Sequence, residues 1–303
     1  MRVSFALTYE NPVKNIFEKQ KAIRHLQDAI SRGKGLLDPS DNPLNWTNAM
    51  NLKSALAKAE QWKKNIEFGM NWNNTTEGYL NHLNDLLTKA RQIAIASIKE
   101  NSSETIASHA QELDHILREV ITIANAKYQN RYIFSVNADP ANPVFGYTET
   151  NGEIVSVNPT NPGQMGEALD IAVGENTAVR VNVDGYNLFF DDQGSNILQN
   201  LLDLKNAIKS GDTNSISDAM GIVERDQSRV LEALTTVGAN LNRLEARGDS
   251  LDAIMISQQE RISELEETDM AKLATDYQLT ATALQAVYQS TARIAGLSLL
   301  QYL

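Results

Sequence analysis

Val223-Glu224-Arg225-Asp226-Gln227-Ser228-Arg229-Val230-Leu231-Glu232-Ala233-Leu234-Thr235-Thr236-Val237-Gly238-Ala239-Asn240-Leu241-Asn242-Arg243-Leu244-Glu245-Ala246-Arg247-Gly248-Asp249-Ser250-Leu251 places an apolar residue at every seventh position: Val223, Val230, Val237, Leu244 and Leu251. This spacing predicts a long coiled-coil-like helix, since a seven-residue repeat keeps one stripe facing a partner along its whole length. Leu234, Leu241, Met255 and Ile262 fill the second seam position, which Gln227 and Gly248 interrupt. The helix is expected to begin near Ser215. Beyond Glu266-Glu267-Thr268-Asp269 the stripe resumes with Met270, Leu273, Tyr277, Leu284, Val287 and Ile294. Thr280 and Thr291 are its weak members, and the sequence closes on Leu297, Leu299, Leu300 and Leu303.

The N-terminal part supplies candidate partners. Ile16, Ile23 and Ile30 are seven apart and Leu26 joins them, on a helix expected over about 13–31 that Gly33 and Gly35 stop. Ser40-Asp41-Asn42-Pro43 opens a second helix, with Asp41 or Asn42 as cap. Pro43 falls in the first turn, where its missing N–H has no intrahelical partner to lose. Leu52, Leu56 and Ala59, then Leu80, Leu83, Leu87, Ala90 and Ala94, mark its face as far as about residue 100. Asn71-Trp72-Asn73-Asn74-Thr75-Thr76 is the weak point, since Asn and Thr are poor helix formers. A third helix over about 104–128 carries Ile106, Leu113, Ile116, Val120 and Ile123, and a short one is expected over 197–209.

Between them the pattern changes. Four of the seven prolines lie in 140–162, where a helix cannot continue. Short alternating runs follow: Val144–Tyr147, Glu153–Val157 and Ala178–Val183. Asp184-Gly185 then reads as a hairpin turn, with Tyr186–Phe190 as the returning strand. The expected fold is mainly α with a small β insertion. The expected form is a long antiparallel helical rod of coiled-coil-like N- and C-terminal helices, with the β-rich domain at its far end. The expected divisions are 1–43 (assembly helix and loop), 44–136 (first half of the rod), 137–194 (β-rich insertion), 195–265 (second half of the rod) and 266–303 (C-terminal assembly helix).

Hydrophobic residues make up 42% of the chain and aromatic ones only 6%, a balance that suits aliphatic helix seams better than a sandwich or barrel. The net charge of −11, with no basic patch interleaved with aromatics, argues against nucleic acid as a partner. No uninterrupted apolar run reaches about 18 residues, so no membrane span is expected. The N-terminus lacks the apolar run of a cleaved secretory signal. With no cysteine there is neither a disulfide nor a thiolate. His109, Glu112 and His115 share a helix, but at 100° per residue they fan over about 120°, too wide for one ion. Asp191-Asp192 reads as a turn and Glu266-Glu267 as a solvated helix junction rather than an acid–base pair. Asn182–Gly185 lacks the later ligands of a calcium loop, and Gly33-Lys34-Gly35 lacks phosphate-loop spacing. No catalytic site, metal or cofactor is expected.

The ends of the chain resemble a known family. Ser31-Arg32-Gly33-Lys34-Gly35-Leu36-Leu37-Asp38-Pro39-Ser40-Asp41-Asn42-Pro43 is similar to the helix–loop–helix that bacterial flagellins write S-S-G-x-R-x-x-x-P-S-D-D-P. Leu86–Ala94 resembles their L-x-R-A-R-E-L-A stretch. Ile123–Phe134 resembles A-N-T-K-Y-x-G-R-Y-I-F, with Asn130 where Gly is usual. Val237–Glu245 matches G-A-x-x-N-R-L-E, and Glu266–Ala271 followed by a helix closing on Leu297-Ser298-Leu299-Leu300 completes the set. Together these matches cover roughly 1–135 and 235–303. The opening Met1-Arg2-Val3-Ser4 with Tyr9 is closer to the branch of the flagellin superfamily that joins hook to filament than to the filament subunit, which is the alternative. A helical sensory module, of another class, would need a membrane span.

The resemblance implies a non-enzymatic structural protein of the bacterial flagellum, exported unfolded by the flagellar type III route and placed outside the cell. It would sit between hook-associated protein 1 and flagellin, among copies of itself. Its assembly interface is expected at Ile16, Ile23, Leu26 and Ile30 against Leu284, Val287, Ile294, Leu297 and Leu300. An export chaperone is expected to hold the last helix at Met270, Leu273, Tyr277 and Leu284.

Overall fold

The computed structural model describes residues 3–99, 102–160, 162–191 and 194–300, with side-chain surroundings for those between 13 and 293. The chain runs through α1 (Val3–Arg32), α2 (Pro43–Ile98), α3 (Ser103–Ala124), β1 (Lys127–Tyr128), β2 (Arg131–Tyr132), β3 (Phe145–Thr150) and β4 (Glu153–Pro159). It continues through β5 (Asp170–Gly174), β6 (Thr177–Arg180), α4 (Gly185–Phe189), α5 (Ile197–Ser210), α6 (Thr213–Glu266) and α7 (Met270–Leu300). The mainly helical fold with a small β part follows the sequence reading. Packing divides it into two compact units, one of 1–58 with 253–303 and the other of 59–252.

Within 59–252, α2 and α6 run antiparallel in a fixed register. Gln227 Nε2 donates to Asn84 Oδ1 at 3.0 Å and to Thr88 Oγ1 at 2.9 Å, and Arg91 donates to Gln227 Oε1 at 2.9 Å. Further along, Lys63 pairs with Asp252. The sum of paired positions stays nearly constant, as two facing helices of equal rise require. Val223, Val230, Val237, Leu244 and Leu251 are all at most 1% exposed, whereas Leu234 and Leu241 are half-buried. The seven-residue series is therefore the buried seam. Gln227, an interruption by hydropathy, is a polar layer with its amide fully engaged.

α2 is unbroken through Asn71–Thr76. Trp72, Asn73 and Thr76 are buried there, Trp72 lies edge-on to Tyr128 at 5.7 Å, and Thr76 Oγ1 donates to the Trp72 carbonyl. Burial of a Trp outweighs the few tenths of a kcal/mol per residue that Asn and Thr cost a helix. Gly69 lets the sheet approach, since a Cβ there would lie 2.7 Å from Ile171 Cδ1.

The strands form three antiparallel pairs: β1–β2, β3–β4 and β5–β6. The β1–β2 turn holds Gln129 and Asn130 at φ +48° and +65°. Asn is, after Gly, the residue that best accepts this left-handed geometry. Side chains close both edges of the β3–β4 ribbon. Asn125 both donates to the Phe145 carbonyl and accepts from its N–H. Ile154 N–H donates to Asp114 Oδ1 at 2.9 Å, and Lys205 Nζ donates to the Ile154 carbonyl at 2.5 Å and to Asp114 Oδ1 at 2.7 Å. Lys205 is 2% exposed and Asp114 4%. Burial pushes the Asp114 carboxyl up, but Lys205, the Ile154 amide and Arg118 together hold it below its ordinary value.

The expected hairpin at Asp184-Gly185 is not formed. Asp184 caps α4, accepting from Asn187 N–H at 3.1 Å, so the turn dipeptide starts a helix instead. Gly185 is required for a different reason: a Cβ there would sit 1.9 Å from the Phe134 carbonyl oxygen. The hairpin of this region joins β5 to β6, and Phe189 stacks its ring edge against Phe134 at 5.4 Å.

Candidate assembly surfaces

In the unit of 1–58 and 253–303, α1 lies along α7. Gln20 Nε2 donates to Tyr288 Oη at 2.6 Å and Gln27 Nε2 to Tyr277 Oη at 3.1 Å, which fixes an antiparallel pairing. Ile16, Ile23, Leu26 and Ile30 are only half-buried, and so are Leu284, Val287 and Tyr277; Leu273 is buried and Met270 exposed. Ile294, Leu297 and Leu300 lie outside the described side chains. A two-helix pair cannot close around its own stripes, so each helix keeps apolar surface facing solvent. Phe17 is 62% exposed and Leu279 64%.

The joint between the helices is built around one carboxylate. Gly33 turns the chain out of α1 at φ +67°, and Gly35 N–H then donates to the Glu266 carbonyl at 2.8 Å. Gly35 has no room for a Cβ, which would lie 2.7 Å from Thr268 Cβ. The Glu266 side chain accepts from Lys34 Nζ at 2.5 Å and from Lys53 Nζ. Glu266 is buried, not solvated as its sequence suggested, while its neighbour Glu267 is exposed. Nothing near Glu266 in the sequence signals this, because the two lysines lie more than 200 residues away. Burial raises the Glu266 carboxyl, but the two ammonium groups more than offset it and hold it below its ordinary value. Its stabilisation is therefore present above the unfolded carboxylate range, about pH 4.3, and is lost as pH falls through the lowered value. Glu266→Gln is expected to cost about 1–2 kcal/mol at neutral pH. Hydrogen exchange at Gly35 N–H should speed up roughly tenfold, and its dependence on acid pH should flatten.

The histidine–acid set predicted to be a polar face is one. His109 Nδ1 lies 2.8 Å from Ser97 Oγ, Glu112 pairs with Lys89, and His115 is exposed. Asp191 forms the expected turn, accepting Gly194 N–H at 3.0 Å; Asp192 lies outside the described residues. His25 Nε2 is 3.0 Å from Asp41 Oδ1, a carboxylate already engaged by Leu37 and Asp38 N–H, so this cluster fastens the α1–α2 loop. A groove of about 670 Å³ lies beside α6, lined in part by Asp184, Asn187, Arg225 and Arg229. Its buried Asp226, raised by burial, is held by Asn200 and Arg229. Among the described residues no helix is long and apolar enough to cross a membrane.

Paired terminal helices with half-open stripes and a clamped joint define a helical structural protein. Comparison with known proteins narrows this class. Residues 3–139 match the bacterial flagellin N-terminal helical region and 220–303 the bacterial flagellin C-terminal helical region. Flagellar hook-associated protein 3 of Salmonella typhimurium is 25% identical over 317 residues, covering 99% of each chain, and that of Escherichia coli 24% over 321 residues with the same coverage. The fold matches a flagellar hook-associated protein of Vibrio parahaemolyticus at TM-score 0.66 and 15% identity, over 75% of this chain and 100% of that one. It matches the flagellar junction protein of Legionella pneumophila at TM-score 0.55 and 14% identity, over 73% and 100%. The chain belongs to the bacterial flagellin superfamily and is similar along its whole length to flagellar hook-associated protein 3.

Proposed function

We propose that this chain is a structural protein of the bacterial flagellum that forms the junction between hook and filament. The likeness to hook-associated protein 3 chains along 99% of both lengths carries the reading. It reaches through the middle of the chain, and not only through the terminal helices that flagellins have as well. In this role the chain contacts hook-associated protein 1 on one side and flagellin on the other, with further copies of itself around it. It acts by geometry rather than by catalysis. It reaches its place outside the cell unfolded, through the flagellar type III route, and Met270, Leu273, Tyr277 and Leu284 of α7 offer an apolar stripe to an export chaperone before assembly. Removal of residues 270–303 is expected to abolish chaperone pull-down.

The test is a deletion strain viewed by negative-stain microscopy, with the medium assayed for flagellin. A junction protein predicts hooks without filaments and flagellin monomer in the medium. Filament loss without released flagellin would instead mark the chain as the filament subunit, and normal filaments would refute both.

A further inference from the structure

The sequence points to no metal here, because His25 lies thirteen residues before Asp38 and on a separate element. Folding brings them together. His25 comes from the last turns of α1, and Asp38 and Asp41 from the loop that leads to α2. One ligand atom of each residue lies within 4.8 Å of the other two. His25 Nε2 stands 3.0 Å from Asp41 Oδ1 and 4.0 Å from Asp38 Oδ2. Two ligands at about 2.1 Å from one ion lie about 3.0 Å apart at a right angle and about 3.4 Å apart at the tetrahedral angle. The His25–Asp41 separation already suits shared coordination. Asp38 has only about 0.6 Å to close, and its side chain, 63% exposed, has room to turn.

Two further features point to an ion. His25 Nε2 is closed off from water yet makes no hydrogen bond, since Asp41 Oδ1 is near it but out of line. A ring nitrogen in that position costs stability until an ion or a water engages it. Asp41 is also oriented in the way that metal-bound carboxylates are, by hydrogen bonds to its other oxygen. Its Oδ2 accepts from Leu37 N–H at 2.9 Å and from Asp38 N–H at 2.8 Å, while Oδ1 faces His25.

We propose that His25, Asp38 and Asp41 bind one zinc ion through these three atoms, with water in the fourth position. One imidazole with two carboxylates suits a borderline ion such as Zn²⁺, whereas calcium and magnesium favour sets made of oxygen alone. Asn42, the residue after Asp41, caps α2 by accepting from Asn45 N–H at 3.0 Å. The ion therefore ties the last turns of α1 to the first turn of α2. The site does not depend on the proposed flagellar role, so its failure would leave that reading untouched.

The test is a calorimetric titration of zinc chloride into the untagged full-length chain after treatment with a chelator. His25→Ala and Asp38→Asn should each weaken zinc binding about tenfold or more. Asp38→Asn keeps the backbone N–H that holds Asp41, so the loop stays intact in that variant. At free zinc about ten times the dissociation constant, exchange of the Leu37 and Asp38 amides should slow about tenfold in the parent and not in His25→Ala. Zinc bound equally by the parent and both variants would belong to other side chains, such as the paired His82 and Glu119, and overturns the site. A parent that takes up no zinc, amide exchange indifferent to the ion, or zinc binding abolished by excess calcium chloride overturns it as well.

Discussion

An Ile23→Asp/Ile30→Asp variant is expected to be exported yet to leave hooks without filaments, with flagellin released into the medium. Both side chains sit half-buried on the α1 face that runs along α7. Full burial of an Ile is worth about 1.5–3 kcal/mol, so about half of that is lost at each position. Two carboxylates are then left in an apolar seam, which adds desolvation cost. The total, about 3 kcal/mol or more, exceeds what a thinly packed helix pair can spare. Ile23→Leu/Ile30→Leu keeps the stripe and should retain filaments. Electron microscopy of both strains decides. Filaments of normal length on the Asp variant would show that this stripe is not an assembly surface.

The second large effect is expected inside the 59–252 unit. Lys205→Ala should lower stability by about 3–5 kcal/mol, because it strips the buried Asp114 carboxylate of its ammonium partner and leaves the Ile154 carbonyl unpaired. For a unit of this size the melting temperature should fall on the order of 10 °C, read by calorimetry on the full chain. Asp114→Leu/Lys205→Met removes both charges and should recover part of the loss, though not all, since the Ile154 N–H and C=O remain without side-chain partners. A Lys205→Ala melt within 2 °C of the parent would mean the pair contributes little. The pH dependence has a definite sign. The lowered Asp114 carboxyl stabilises the fold above the unfolded carboxylate range and ceases to as pH falls through its folded value. The variant should therefore lose part of the parent's acid sensitivity.

What could be read directly from the residues was what depends on period. A repeat of seven needs a facing partner whatever that partner is, so Val223 through Leu251 specified a buried seam, and all five positions are buried. Breakers act locally as well, which is why Gly33, Pro43 and the prolines of 140–162 marked boundaries that the structure keeps. Three readings failed where the deciding partner lies far off in sequence. Asp184-Gly185 carries the local signature of a hairpin, yet the Phe134 carbonyl and the α4 cap determine what forms there. Glu266 looks like one of two solvated acids until Lys34 and Lys53 close around it. Gln227 looks like a flaw in the seam until Asn84, Thr88 and Arg91 engage its amide.

By itself, then, the sequence determined the helices and the stripes that need covering, because both follow from spacing along one strand of residues, while its motifs carried the resemblance to the family. The tertiary structure alone decided which polar groups are buried and paired. A buried charge or amide is tolerable only when its partner is brought within about 3 Å, and that distance is set by packing between segments that, for Glu266 and its lysines, lie more than 200 residues apart.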